Sequence, residues 1–306
     1  MTRWQANTLL LAVALIWGSA FVVQNLAMAH MGPMGFTGVR FLVGALVVAP
    51  LAWREGKFLH GRGLHYARED LAPEAGLGLL LCVGAGLQQV GIQRTTVTNA
   101  GFLTALYVPL VPLLAWWRSG QAPQLWMWPA SAGCLVGTYL LSGAGSVVFN
   151  QGDLWVLASV LPWALHILFV GEVAKRMAAP FMVACGQFFV CAAAALGWAA
   201  LAEPFDVSAL AAAAPAIVFT GIVSVGIGFT GQVIAQSNTT PSDAAILLST
   251  ETLFAALFGY ALMGDRLGAT AWAGAALIFG GMLAVQLLAL RQPAREADRR
   301  GKAQNE

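Results

Sequence analysis

The side chains in this sequence that can do chemistry lie inside stretches that are otherwise apolar. Glu251 is the one acidic residue deep within such a stretch. An ionisable group at that depth is costly, so it reads by default as a functional candidate, either proton carrier or solute contact. The structural alternative is a carboxyl held protonated or hydrogen-bonded between helices. His166, three residues after Trp163, can relay protons near neutral pH or bond a carbonyl of a neighbouring helix. Arg40 can grip a solute carboxylate with its fork of donors. Placed about one turn inside its stretch, it can instead snorkel to the interface and bond carbonyls. Gln88 and Gln232 sit on two stripes of small or polar residues, Gly84, Gln88, Gly91, Thr95 and Gly228, Gln232, Ala235, Thr239. That spacing places each set on one helix face, suited to close helix contact or to lining a polar cavity. Trp17, Tyr107 and Trp163 are candidates for an aromatic wall facing apolar or cationic solutes.

Elements that hold such residues must be membrane helices. Of the 306 residues, 58% are hydrophobic and 10% charged, against about a quarter charged in soluble domains. The apolar residues come in runs of about 20, enough for a helix to cross a hydrocarbon core. Ten spans are predicted: Thr8–Ala29, Phe36–Trp53, Ala75–Gln93, Thr98–Trp117, Trp126–Val147, Leu154–Gly171, Phe181–Ala202, Ala213–Gln236, Ala244–Met263 and Ala269–Leu290. A signal-peptide reading of the start, from Arg3 through Ala27-Met28-Ala29, would leave nine spans and break the repeat below. The fold class is therefore an all-α polytopic membrane protein of ten transmembrane helices. The link Arg54–Glu74 can form a short amphipathic piece, and residues 291–306 read as a solvated, charged cytoplasmic tail. Pro109 and Pro112 are candidate kinks in the fourth span, since each removes a backbone donor.

Charge placement sets orientation. Of the 16 Lys and Arg, all but three fall on the side of the N-terminus; Arg94 and Arg266 lie opposite and Arg40 lies within a span. The positive-inside rule then makes both termini cytoplasmic. The net charge of +2 gives no footprint for nucleic acid. Cys82, Cys134, Cys185 and Cys191 lack metal-ligand spacing, and neither a disulfide nor a metal is expected.

An offset of 144 residues aligns Gly84–Ala100 with Gly228–Ala244 without a gap, with Gly84, Gln88, Thr95, Thr96 and Ala100 matched by identical residues. The same offset places Tyr107 opposite Glu251; Trp17 and Trp163 pair at 146, and Arg40-Phe41 and Gln187-Phe188 at 147. Two units of five spans follow, residues 8–147 and 152–290. An odd number of spans forces the second unit to enter the membrane upside down. Inverted repeats of this kind point to alternating access around a midplane site.

The residues also resemble the drug/metabolite transporter superfamily, specifically ten-span proteins with two EamA-type domains. The resemblance is carried by Ile16-Trp17-Gly18-Ser19, Arg40-Phe41, Thr95 to Ala100, Tyr107-Val108-Pro109, Trp163-Ala164, Thr239 to Ala245, Ser249-Thr250-Glu251 and Gly264-Asp265-Arg266-Leu267. Two departures stand out: Glu251-Thr252 where the family usually reads Glu-Pro, and Gly264-Asp265-Arg266 where it reads Gly-Glu-Arg. Without the proline the ninth helix is expected to run straighter. The resemblance implies a secondary transporter of small organic solutes, often an exporter, working on amino acids, related metabolites or amphiphilic drugs in a bacterial cytoplasmic membrane.

The partners expected are thus a small-molecule solute, membrane lipid and, if transport is coupled, protons. Monomer and homodimer are both open. The scarcity of deep cations argues against phosphorylated solutes. No zinc-protease, Walker A or dinucleotide motif is present, and Gly152-Asp153 reads as the polar start of the sixth helix. No cofactor is expected. A membrane-embedded enzyme or a channel is the alternative; a closed midplane cavity would favour the carrier, a continuous wet pore the channel.

Overall fold

The computed structural model describes residues 1–63, 68–142, 150–204, 206–262 and 267–303, and among them every regular element is helical. The first unit comprises α1 (Arg3–Ala27), α2 (Pro33–His60), α3 (Arg68–Ile92), α4 (Val97–Thr104), α5 (Tyr107–Ser119) and α6 (Met127–Leu141). The second comprises α7 (Gln151–Met177), α8 (Pro180–Ala202), α9 (Val207–Phe219), a π-helical segment Thr220–Phe229, α10 (Thr230–Gln236), α11 (Pro241–Leu248), α12 (Glu251–Leu262) and α13 (Ala269–Ala303). Among the described residues, eight helical stretches are long and apolar enough to cross a membrane. The expected fifth span is represented by the 15 residues of α6, its end at Val147 lying outside the described residues. The ninth is divided between α11 and α12.

Both the fourth and the ninth expected spans are broken, at positions 144 residues apart. α4 and α11 start after Thr96 and Thr240, whose hydroxyls accept from the amides of Asn99 and Asp243, each at 3.1 Å. Each half-helix ends three residues before Tyr107 or Glu251, which open the next helices. In the first unit the cause is Pro109, which has no N–H for the Ala105 carbonyl; the Val108 amide takes that carbonyl instead, at 3.0 Å. Pro112 lies within α5, which runs on through it.

The straight ninth helix expected from Thr252 is not found. Three hydroxyls replace the proline as breakers: Ser249 donates to Ile246 O at 2.8 Å, Thr250 to Leu247 O at 2.6 Å and Thr252 to Ser249 O at 2.9 Å. Back-bonding of this kind bends helices by competing for the carbonyls of the preceding turn. The Thr250 and Thr252 amides correspondingly reach three residues back, each at 3.2 Å. The chain ends also differ from expectation. α2 continues to His60 and α3 starts at Arg68, so little of the Arg54–Glu74 link remains outside a helix. α13 carries its backbone helix to Ala303, well past Leu290. The Gly264-Asp265-Arg266 loop lies outside the described residues.

Packing is reciprocal between the units. α1 packs on the π segment and α10, the third span of unit two, while α7 packs on α3, the third span of unit one. α2 pairs with α8, and α6 with α13. The α2–α8 pair is antiparallel and exchanges end caps. The Glu203 carboxylate at the end of α8 accepts from the Met34 and Gly35 amides, both at 2.8 Å, and Glu55 near the end of α2 accepts from Met182 N at 2.8 Å. Each carboxylate thereby satisfies orphan amides at the positive end of the other helix. α6 meets α13 backbone to backbone: a Cβ on Gly137 would stand 2.6 Å from Gly274 O, so only glycine allows the contact.

Candidate functional site

Where the two units meet, a cavity of about 50 Å³ is lined by Trp17, Phe21 and Gln24 of α1, Arg40 of α2, Gln88 of α3, Thr104, Tyr107, Trp163 and Ile167 of α7, Ser224, Phe229, Gln232 and Glu251. A cavity takes up a water from about 10–15 Å³ of such volume, so this one has room for a few waters. Separate, larger cavities lie toward the two ends of α1. One of about 890 Å³ is lined by Met28, His30, Gly32, Gln93, Glu203 and their neighbours, and one of about 680 Å³ by Arg3, Arg118, Lys175, Gln236 and Thr239 among others. The centre is therefore contracted between two vestibules.

Repeat-related residues build the walls. Trp17 is seated on Gly228 and Trp163 on Gly84, the glycines that open the two predicted stripes; a Cβ at Gly228 would stand 2.7 Å from Trp17 Nε1, and one at Gly84 3.3 Å from the Trp163 ring. Further along the stripes Gln88 and Gln232 line the cavity, and Thr95 and Thr239 reach the two ends of the molecule. Each stripe thus serves both helix contact and cavity lining. Trp17 Nε1 donates to Ser224 O at 3.1 Å, and Gln88 Nε2 donates to Thr104 Oγ1 at 2.9 Å. Gln232 Nε2 donates to Gln236 Oε1 at 2.8 Å, leaving Gln232 Oε1 without a partner, as is Trp163 Nε1. Buried polar atoms are normally satisfied, so open ones on a cavity wall are places for solute or water.

Arg40 is 3% exposed and does not snorkel. α2 starts three residues earlier than expected, at Pro33, so Arg40 sits two turns inside. Its Nη1 donates to Gln24 Oε1 at 2.7 Å and its guanidinium lies 5.4 Å from the Phe36 ring centre and 5.3 Å from that of Phe41. Ring faces and a neutral amide hold the charge in place of interfacial water. Its Nε has no partner. Glu251, 5% exposed, starts α12. α1 reaches it closely through Gly18, at which a Cβ would lie 2.7 Å from Glu251 O. By helical spacing Ala244, Leu248 and Ala255 would share a face with Glu251, but the break at Ser249-Thr250 places the first two on α11 and the third on α12.

His166 is fully buried but is not among the cavity residues. Its Nε2 pairs with Gln187 Oε1 at 2.9 Å, a side chain in place of the expected carbonyl, and its ring meets those of Trp163 and Phe229 edge-on. The sequence reading missed Phe21, Gln24, Thr104, Ile167, Ser224 and Phe229. Phe21 and Gln24 continue the helical stripe of Trp17 and were legible by spacing. Ser224 and Phe229 lie on the π segment, whose register a 3.6-residue period does not describe.

At both ends, the first helix of one unit is tied to the link before the broken helix of the other. Asn7 accepts from the Thr239 hydroxyl at 2.7 Å, and Asp153 from the Thr95 hydroxyl at 2.6 Å, with Asn150 donating to Thr95 at 3.0 Å. The N-terminal end adds an ion pair, Arg3 to the buried Asp243, with Nε donating at 2.7 Å. Asp153 also closes a capping box with Asn150 at the start of α7, the polar helix start expected for it.

Apolar helices that recross a bilayer, with polar residues gathered between them, define a multi-pass membrane protein. The EamA-like transporter family matches residues 4–143 and 150–287, and the chain belongs to it. It is 31% identical over 290 residues to an uncharacterized transporter of Archaeoglobus fulgidus, covering 94% of this chain and 87% of that one. It is 26% identical to the uncharacterized inner membrane transporter YedA of Escherichia coli K12, covering 91% and 89%. A solved crystal structure shares the fold, with a TM-score of 0.74 at 20% identity over 94% of this chain and 99% of that one.

Proposed function

We propose that the protein is a secondary carrier of small organic solutes that works by alternating access, two inverted five-helix units exchanging conformations around the central cavity. The observation that carries this reading is a small central cavity lined by equivalent residues of both units, distinct from the larger cavities toward either end of α1. A channel would instead present a continuous pore. The matched helix breaks, the reciprocal packing and the paired end contacts supply the symmetry that such an exchange needs. The family resemblance favours export across a bacterial cytoplasmic membrane as the direction of transport.

One cation, Arg40, and one ionisable carboxyl, Glu251, beside Trp17, Tyr107 and Trp163 suit a zwitterionic or amphiphilic solute of amino-acid size. Open hydrogen-bonding atoms on Trp163 and Gln232 are suited to orient it, with Gln88 opposite. Glu251 is the proposed proton carrier. His166, paired with a neutral amide behind the aromatic wall, is the weaker candidate for that role. The test is uptake of a labelled amino-acid and metabolite panel into proteoliposomes with an imposed pH gradient. Wild type is expected to accumulate solute, and Glu251→Gln to exchange solute without gradient-driven accumulation. Accumulation unchanged in Glu251→Gln would return that carboxyl to a structural role.

A further inference from the structure

We infer that Phe229 sets which solutes the central site admits, its ring standing in the slot that a flat solute group takes up during transport. The inference rests on the carrier reading above. Trp17 and Trp163 hold equivalent positions in the two units, each fixed against a glycine of the other unit. One phenyl ring contacts both. Phe229 lies 4.5 Å from Trp17, tilted by 48°, and 5.9 Å from Trp163 in a stacked arrangement at 13°. Offset stacking is a preferred aromatic geometry, so a planar solute group in that place would find the Trp163 face to stack on, with the tilted Trp17 ring beside it.

The filler is asymmetric. At the 144-residue offset the first unit has Ala85 where the second has Phe229, so the ring fills a place whose counterpart holds only a methyl. With the ring in place the cavity is about 50 Å³. Replacing the benzyl side chain by the methyl of alanine frees on the order of 100 Å³ more, comparable to engineered cavities that admit benzene.

The backbone supplies a way for the ring to move. Phe229 is the last residue of the ten-residue π segment, at its junction with α10. A π turn holds one residue more than an α turn, so closing it to α turns the ring, together with α10, relative to α9 by about 100°. Trp17 is tied to that same segment through Ser224 O, which couples the indole to the register of the segment. Once the ring withdraws, the partnerless Trp163 Nε1 and Gln232 Oε1 offer a donor and an acceptor beside the vacated slot.

The test is counterflow of L-alanine, L-phenylalanine and L-tryptophan in proteoliposomes of wild type, Phe229→Ala, Phe229→Leu and Phe229→Tyr. Phe229→Ala is expected to raise the tryptophan-to-alanine rate ratio about ten-fold, Phe229→Leu to raise it less, and Phe229→Tyr to keep the wild-type ratio. Ratios within two-fold of wild type in both Phe229→Ala and Phe229→Leu, with alanine still carried, would overturn the inference and leave the carrier reading intact. If Phe229→Ala does not fold, Phe229→Leu decides alone. No counterflow of any of the three by wild type would instead overturn the solute class on which the inference stands.

Discussion

The paired end contacts make the most discriminating prediction. If the units exchange conformations, the Thr95–Asp153 contact holds one end closed, and the Thr239–Asn7 contact with the Arg3–Asp243 pair holds the other. Thr95→Val removes a hydrogen bond to a carboxylate, worth about 2 kcal/mol. Asp243→Asn removes an ion pair whose acid is buried while the Arg3 side chain is 22% exposed. Breaking a fully buried pair costs about 3–5 kcal/mol, and partial exposure of Arg3 brings the figure to about 2 kcal/mol. Each change therefore shifts the balance of open and closed ends by roughly thirty-fold. The assay is alkylation of Ile167→Cys, on the cavity wall, by a membrane-impermeant maleimide added to one face at a time, with the four native cysteines replaced. Thr95→Val is expected to speed labelling from the face at the C-terminal end of α1 and to slow it from the other, and Asp243→Asn to do the reverse. Parallel effects from both faces, or none, would refute the idea that these contacts close opposite ends of one pathway.

Three further outcomes are expected. Replacing the breaker hydroxyls together, Ser249→Ala with Thr250→Val and Thr252→Val, lets α11 and α12 join and moves Glu251; proteoliposome exchange should fall more than ten-fold while the monodisperse gel-filtration profile is kept. Glu203→Ala strips the cap from the Met34 and Gly35 amides and should lower stability by about 1–2 kcal/mol, read as a lower thermal midpoint in detergent, with a similar loss for Glu55→Ala at the start of α8. At the start of α9, the Ser208 hydroxyl and amide hold the Asp206 carboxylate below its ordinary range. Its stabilisation is therefore complete above the unfolded value of about 4 and is lost as the pH falls through the lower folded value. The difference in thermal midpoint between wild type and Asp206→Ala should be steady above about pH 5 and should vanish in stronger acid.

Much of the site was legible because burying a polar side chain in an apolar stretch is costly and so marks its place. Trp17, Arg40, Gln88, Tyr107, Trp163, Gln232 and Glu251 all line the one central cavity. Pro109 marked the break in the fourth span, but the 144-residue offset was not carried over to the ninth, where Thr252 in place of proline pointed to a straight helix. What the residues did not disclose was set by backbone geometry. The depth of Arg40 depended on α2 starting at Pro33, and the break before Glu251 on three hydroxyls whose bonds to the preceding turn leave no trace in hydropathy. Phe229 and Ser224 were hidden because a π segment carries them out of α-helical register. His166 was drawn in by its spacing from Trp163, yet its ring faces Gln187 behind the wall.

The central claim, one solute site reached from the two faces in turn, is tested most directly by trans-acceleration. Proteoliposomes preloaded with a labelled solute would be diluted into buffer with or without the same unlabelled solute, and the initial efflux compared. A carrier returns faster when loaded, so external solute is expected to accelerate efflux several-fold, with saturation. Efflux indifferent to external solute and rising linearly with the internal concentration would mark an open pore and contradict the account.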